Sequence, residues 1–332
     1  MDFSTPVKIG KSTFTLNHKH RILSLGSCFS ENIGGKLAEQ KFSIDINPFG
    51  VLYNPCSIAS SLQILAEKRL FTRDDLFTHQ GMMHSFAHHS RFSHPDATTC
   101  LQQINERIIA SSDHLLHLDC LMITFGTAYV YRLKDTGTVV ANCHKMPEKL
   151  FSRERLTVEV IAQEWQTVIS SLQKRNPQLN VLFTVSPIRH LKDGAHGNQI
   201  SKATLLLAIE KLTGTLPNSY YFPAYEIMMD ELRDYRFYAP DMTHPSETAV
   251  EYLWERFRHT YFSEETQLLV NAWDKIRSSL NHRPFSKESS VYKDFIMQNL
   301  FKLEEIRKKY PYFDVTNEIA QIETQLTAFN SI

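Results

Sequence analysis

Long apolar runs are missing from this sequence. No stretch reaches the roughly 18 consecutive apolar residues that a membrane-crossing helix needs, and the opening MDFSTPVKIGKSTFTLNHKHR lacks the apolar segment of a secretion signal. Excess charge is missing too. The 36 Lys and Arg balance 36 Asp and Glu, so there is no basic footprint for nucleic acid and no polybasic segment for an anionic membrane. Cysteine is scarce: Cys28, Cys56, Cys100, Cys120 and Cys143 are odd in number, widely spaced and free of CxxC pairs, which argues against a disulfide framework and a cysteine zinc knuckle. Only 11 glycines and 13 prolines leave little room for repeats or low-complexity linkers. These absences predict a reduced, cytoplasmic protein with no nucleic-acid or membrane partner and a small or weakly charged ligand.

What is present is alternation of strand and helix patterns. Ile22 to Leu25 reads as a short strand stopped by Gly26, and Ile33 and Leu37 place one apolar face on the helix that follows. Phe42 to Ile46, Leu118 to Phe125, Val181 to Val185 and Tyr220 to Phe222 read as further strands. The second of these is nearly continuous in its apolar character, as a strand covered on both faces requires. Helices are predicted around Ile58, Leu62 and Leu65, over Val158 to Leu172, around Lys202 to Leu212, and around Ala249, Leu253 and Phe257. Tyr129 to Leu133 and Thr138 to Asn142 flank the turn Asp135-Thr136-Gly137 and predict an inserted hairpin. The expected fold is α/β, a parallel sheet with helices on both faces over residues 1–261, with a helical C-terminal extension over 262–332. The apolar faces of that extension must cover the sheet domain, close a pocket or pair two subunits, so a homo-oligomer through these helices stays open.

Ligands of such sheets bind at the strand carboxyl ends. Three candidate features stand there: Gly26-Ser27-Cys28, Gly126-Thr127-Ala128 and Asp241-Met242-Thr243-His244. An Asp three residues before a His can accept the imidazole Nδ1–H and leave Nε2 for a nucleophile, though an Asp that caps a helix beside a surface His leaves the same trace. Ser27 and Cys28 open a helix, where free N–H groups and the dipole would lower a thiol pKa and offer oxyanion donors; a helix cap and a small buried thiol are the plain alternatives. His79, His84, His88, His89 and His94 crowd one segment, yet no HExxH occurs and carboxylates are few, so a polar loop is expected there in preference to a metal site.

The stretch LSLGSCFSENIGGKL resembles the signature of the GSCFA-domain family, within the SGNH (GDSL-like) hydrolase superfamily. NPFGVLYNP, TFGTAYVY, VVANCHK, FTVSPIRHLKDGAHGNQISKATL and YFPAYEIMMDELRDYRFYAPDMTHPS extend the resemblance to Phe257. It implies a five-stranded parallel sheet of flavodoxin-like order. It also places Cys28 in the nucleophile position behind Gly26, with Ser27 the nucleophile if the turn is shifted by one, and gives Asp241 and His244 the orienting and base roles. Gly50 fits the second-block oxyanion glycine. The third block, normally Gly-x-Asn, has Ala128 after Gly126 and Thr127, so Asn142 becomes a candidate substitute. Arg189 and His190 are candidate substrate or oxyanion contacts, and His84, in a His-Ser shared with relatives, a candidate pocket residue.

The expected activity is hydrolysis or O-acyl transfer on an ester of a small or carbohydrate substrate, with no cofactor. A catalytically altered fold that binds a glycan or acyl group is the alternative, favoured by the missing Asn, and a metal-dependent hydrolase using the histidines is third.

Overall fold

The computed structural model describes residues 5–281 and 290–329. In chain order its elements are β1 (Arg21–Gly26), α1 (Cys28–Glu39), β2 (Ser43–Ile46), α2 (Pro55–Glu67), β3 (Phe77–His79), β4 (Met82–His84), α3 (Ala97–Leu115), β5 (Cys120–Phe125), β6 (Tyr129–Leu133), β7 (Val139–Val140), β8 (Phe151–Arg155), α4 (Val158–Arg175), β9 (Asn180–Val185), α5 (Gly194–Thr215), β10 (Ser219–Phe222), α6 (Ala224–Glu226), α7 (Glu247–Tyr261), α8 (Glu264–Leu280), α9 (Ser290–Lys309) and α10 (Thr316–Phe329). Local chemistry sets several of the starts. The side chains of Ser27, Asn54 and Thr157 each accept a hydrogen bond from an N–H of the first turn of α1, α2 and α4, and Pro55 occupies a position where its missing N–H costs nothing.

The central sheet runs β2-β1-β5-β9-β10 with every neighbouring pair parallel. The chain winds outward from β1 to β2 and then crosses back to β5, so the crevice for a ligand lies above the carboxyl ends of β1 and β5. Successive side chains point to opposite faces. Leu23, Leu25, Leu121, Ile123, Phe125, Phe183 and Val185 pack with α2, α4 and α5 in one core, whereas Ile22, Cys120, Met122 and Leu182 join Phe29, Ile33, Leu253 and Phe257 of α1 and α7 in the other.

Three features depart from the sequence patterning. The expected hairpin gains a third strand, since β8 pairs antiparallel with the free edge of β6. The histidine-rich segment, expected as a loop, contains the hairpin β3-β4. Helix α3 is not announced because Ser111 and Ser112 share its buried face with Ile104 and Ile108, which dilutes the apolar stripe.

The C-terminal helices pack around Trp273, Leu303, Ile306, Phe313 and Ile322. They dock on the end of α1: the Trp273 indole N–H donates to the Glu39 carbonyl at 2.9 Å, Arg277 pairs with Glu39 at 2.6 Å and Lys41 with Glu318 at 2.8 Å. Cys28 is at the opposite end of the same helix. These contacts cover the sheet domain at the end of α1 away from the strand carboxyl ends. Among the described residues no helix is long and apolar enough to cross a membrane.

Two histidines are part of the packing. His88 stacks on Phe49 at 4.5 Å between ring centroids, meets Phe71 edge-on, and shares a 3.0 Å hydrogen bond with the Ser85 hydroxyl. Burial pulls His88 down to about 3 and His18 to about 4. The folded chain keeps both neutral where an unfolded one takes up protons near pH 6.5. Their contribution is therefore complete above that pH and is lost as pH falls toward 4, by about 1.4 kcal/mol per pH unit for each. Urea unfolding at pH 6 and pH 5 is expected to report this loss; an unfolding free energy independent of pH over that interval would contradict it.

Candidate functional site

The end of β1 is tightly specified. Gly26 has φ +141°, its N–H donates to the Asn47 side chain at 2.9 Å, and a Cβ there would lie 2.2 Å from the Thr124 carbonyl oxygen. Ser27 is buried, and its hydroxyl accepts the Phe29 N–H at 3.3 Å as the cap of α1. Cys28 is half-buried, with Sγ 3.8 Å from the Tyr53 hydroxyl. Burial pushes the Cys28 thiol up, and the Tyr53 hydrogen bond offsets this only in part. The expectation that the helix start would lower this pKa is corrected: desolvation outweighs the Tyr53 hydrogen bond and the N–H of Cys28 itself, and the Glu31 charge adds to it. Desolvation thus favours the protonated form of the Cys28 thiol.

Backbone N–H groups of the second and third blocks are engaged elsewhere. The Gly50 N–H donates to the Asn47 carbonyl at 2.8 Å, inside a turn closed against His89, so it is not an oxyanion donor as placed. The N–H groups of Gly126 and Thr127 both donate to the Tyr53 carbonyl, at 2.8 and 3.0 Å, and the Ala128 N–H donates to the Ser201 hydroxyl at 2.8 Å. This clamps Tyr53 against the end of β5. The N–H of Cys28, first in its helix, has no partner one turn back and stands beside its own thiol.

Asp241 and His244 form a bonded pair: Nδ1 of His244 lies 2.6 Å from Oδ2 of Asp241, whose other oxygen accepts the N–H of Thr243 at 2.9 Å and of His244 at 3.0 Å. These bonds hold the Asp241 carboxyl well below the usual carboxylate range. Both side chains are exposed, and the Nε2 of His244 is left for another partner. His244 lines a cavity of about 830 Å³ together with Tyr53, Thr127, Asn142, Arg189 and His190. Cys28, in contact with Tyr53, is not part of this lining, and among the described residues no hydrogen bond joins its thiol to His244.

Asn142 lines the cavity and accepts the His144 N–H at 2.8 Å through Oδ1. The His190 ring meets Tyr53 edge-on, and its Nε2 is buried without a partner. Burial, with Lys202 nearby, draws His190 down to about 4. His84 does not line the cavity: its ring nitrogens meet the Ser93 hydroxyl at 2.7 Å and the His79 carbonyl at 3.2 Å, and its ring packs at a tilt against that of His144. The histidine segment thus forms packing and turn contacts, and among the described residues no group of three or more His, Cys, Asp or Glu side chains could hold a metal ion.

Sequence reasoning missed Tyr53 and Lys202. Tyr53 sits inside the quoted NPFGVLYNP, but nothing local says that its hydroxyl meets Cys28. Lys202 had a readable signal, since it shares the helical stripe of Leu205, Ile209 and Leu212, where a lysine must be buried.

The profile of the GSCFA family matches residues 21–257, from β1 into α7. That of the GSCFA domain protein, C-terminal domain, matches residues 273–328, within α8 to α10. No curated protein matches the chain. With the first profile spanning well over half of its length and the signature Gly26-Ser27-Cys28-Phe29 at the strand end, the chain belongs to the GSCFA family.

Proposed function

We propose that this protein is an acyl-transferring enzyme of the SGNH hydrolase type, using Cys28 as nucleophile, His244 as base and Asp241 to orient it. The observation that carries this reading is the 2.6 Å Asp241–His244 bond at the wall of a cavity that Tyr53, the hydroxyl neighbour of Cys28, also lines. The ordinary serine of such sites is not the better candidate, because Ser27 is buried and occupied as a helix cap.

In the first half-reaction His244 Nε2 takes the thiol proton and Sγ attacks the ester carbonyl; the C–O bond breaks and the alcohol leaves with that proton. Water or a hydroxyl acceptor then attacks the thioester, and the proton returns to sulfur. The Cys28 N–H and the amino group of Asn142 are the candidate oxyanion donors, in place of the Asn that Ala128 replaces. Tyr129 and Tyr131 among polar side chains along the cavity suit a small or carbohydrate ester. The chemistry calls for no cofactor, and five free cysteines suit a reducing cytoplasm. A binding module for a glycan or acyl group is the second reading, favoured by Ala128 at the third block and by the absence of a bond between Cys28 and His244.

Trapping decides between them. Brief exposure to an activated short-chain ester is expected to acylate the peptide holding Ser27 and Cys28, with an adduct released by neutral hydroxylamine as a thioester is. No adduct and no turnover from the parent protein on esters or acetylated sugars would sink the enzyme reading, and an adduct that persists in Cys28→Ala would move the nucleophile to Ser27.

A further inference from the structure

Lys202 is 1% exposed, and its ammonium donates to the carbonyls of Gly126 at 2.7 Å and Ser186 at 2.6 Å. These are the first residues beyond β5 and β9, so one cation ties together two adjacent strand ends beneath the cavity. Its neighbours on α5 act on the same two loops. Ser201 accepts the Ala128 N–H at 2.8 Å, and Asn198, one turn before Lys202 and also buried, accepts the His190 N–H at 3.0 Å. A buried ammonium is costly unless its donors are satisfied, and this one has no carboxylate partner. An apolar side chain at this position of the stripe would serve packing alone more simply.

We propose that Lys202 is a positioning residue of the site, whose ammonium, with Ser201 and Asn198, fixes the 126–128 and 186–190 loops and so holds the His190 ring at the cavity wall where the third block lacks its Asn. The proposal rests on the acyl-transfer reading for its catalytic consequence, but not for its geometry. The groups acting on His190 are Lys202, Arg153 and His244, which oppose its protonation, and Asp193, which favours it and is itself paired with Arg153. Removing the Lys202 charge therefore makes His190 easier to protonate. Burial, and after it the Arg189 charge, also bring Lys202 itself down to about 7, so its ammonium is complete below that pH, where His190 titrates.

The test is Lys202→Met in the full chain, which keeps the length of the side chain and removes its charge. Amide exchange is expected to quicken about tenfold or more at Ala128 and His190 while β1 and β5 stay protected, and the His190 imidazole is expected to titrate about one pH unit higher by NMR. On any ester the parent turns over, kcat should fall about tenfold to a hundredfold with KM within about twofold. Unchanged exchange and titration in a folded Lys202→Met protein overturn the proposal, as does unchanged turnover where the parent is active. If Lys202→Met does not fold, Ser201→Ala takes its place: faster exchange at Ala128 with lower kcat supports the proposal, and parental values for both overturn it. If the parent hydrolyses nothing, the acyl-transfer reading fails by itself, and exchange and titration still judge the positioning role.

Discussion

Replacing Cys28 by Ala is expected to lower kcat/KM on a hydrolysed ester by about 10³-fold or more, and His244→Ala by a similar factor, with the fold unchanged by circular dichroism. The reasoning starts from the thiol. Burial pushes the Cys28 thiol up, so under the proposed reading the thiolate forms only when a base takes its proton, and His244, on the cavity wall, is the proposed base. The two residues then act as one unit. The double variant should be scarcely worse than either single one, because removing either already removes the covalent route. Asp241→Asn should cost less, about tenfold to a hundredfold: the Asp241–His244 pair is exposed, so the carboxylate acts mainly by fixing the ring and little through its field. Ser27→Ala supplies the contrast. It loses a helix cap worth about 1 kcal/mol and should keep its turnover. Parental turnover in Cys28→Ala would remove Cys28 from the mechanism.

Gly26→Ala is expected to destabilise the fold by about 3 kcal/mol or more. The added methyl would sit 2.2 Å from the Thr124 carbonyl oxygen at φ +141°, and the obstacle is the backbone of the central strand β5, which cannot swing aside as a side chain can. The close approach also brings the Ser27 N–H to the Thr124 carbonyl at 3.3 Å and so places Cys28 at the sheet edge. Gly35→Ala is the matched control. It lies in α1 with nothing within 4 Å of an added Cβ, so it should be neutral or raise stability by up to about 1 kcal/mol. Urea midpoints at constant m value measure both, and a Gly26→Ala protein within about 1 kcal/mol of the parent would refute the packing argument.

The legible part of the site was local. Asp241 and His244 are three residues apart, so their bond forms within one turn of chain and could be anticipated from spacing. Gly26, Ser27 and Cys28 announced themselves because a strand, a turn and a helix meet there. The roles of Gly50 and His84 did not follow, because an N–H or a ring nitrogen is assigned by its partner. Those partners are the Asn47 carbonyl for one and Ser93 and His79 for the other, and each is set by the turn that its own segment adopts.

Sequence alone determined the sheet, because apolar runs bounded by glycine and helical stripes of period 3.6 can bury their faces only in a layered α/β arrangement. It also determined that the signature residues lie past strand ends. Tertiary structure decided the chemistry of those residues. Burial, which no local pattern encodes, raised the Cys28 thiol where the helix start alone would have lowered it, and packing across the strand ends brought Tyr53 and Lys202 to the site from segments far from each other in the chain. Desolvation and long-range contacts depend on which surfaces meet, and that is settled only when the sheet and its helices close together.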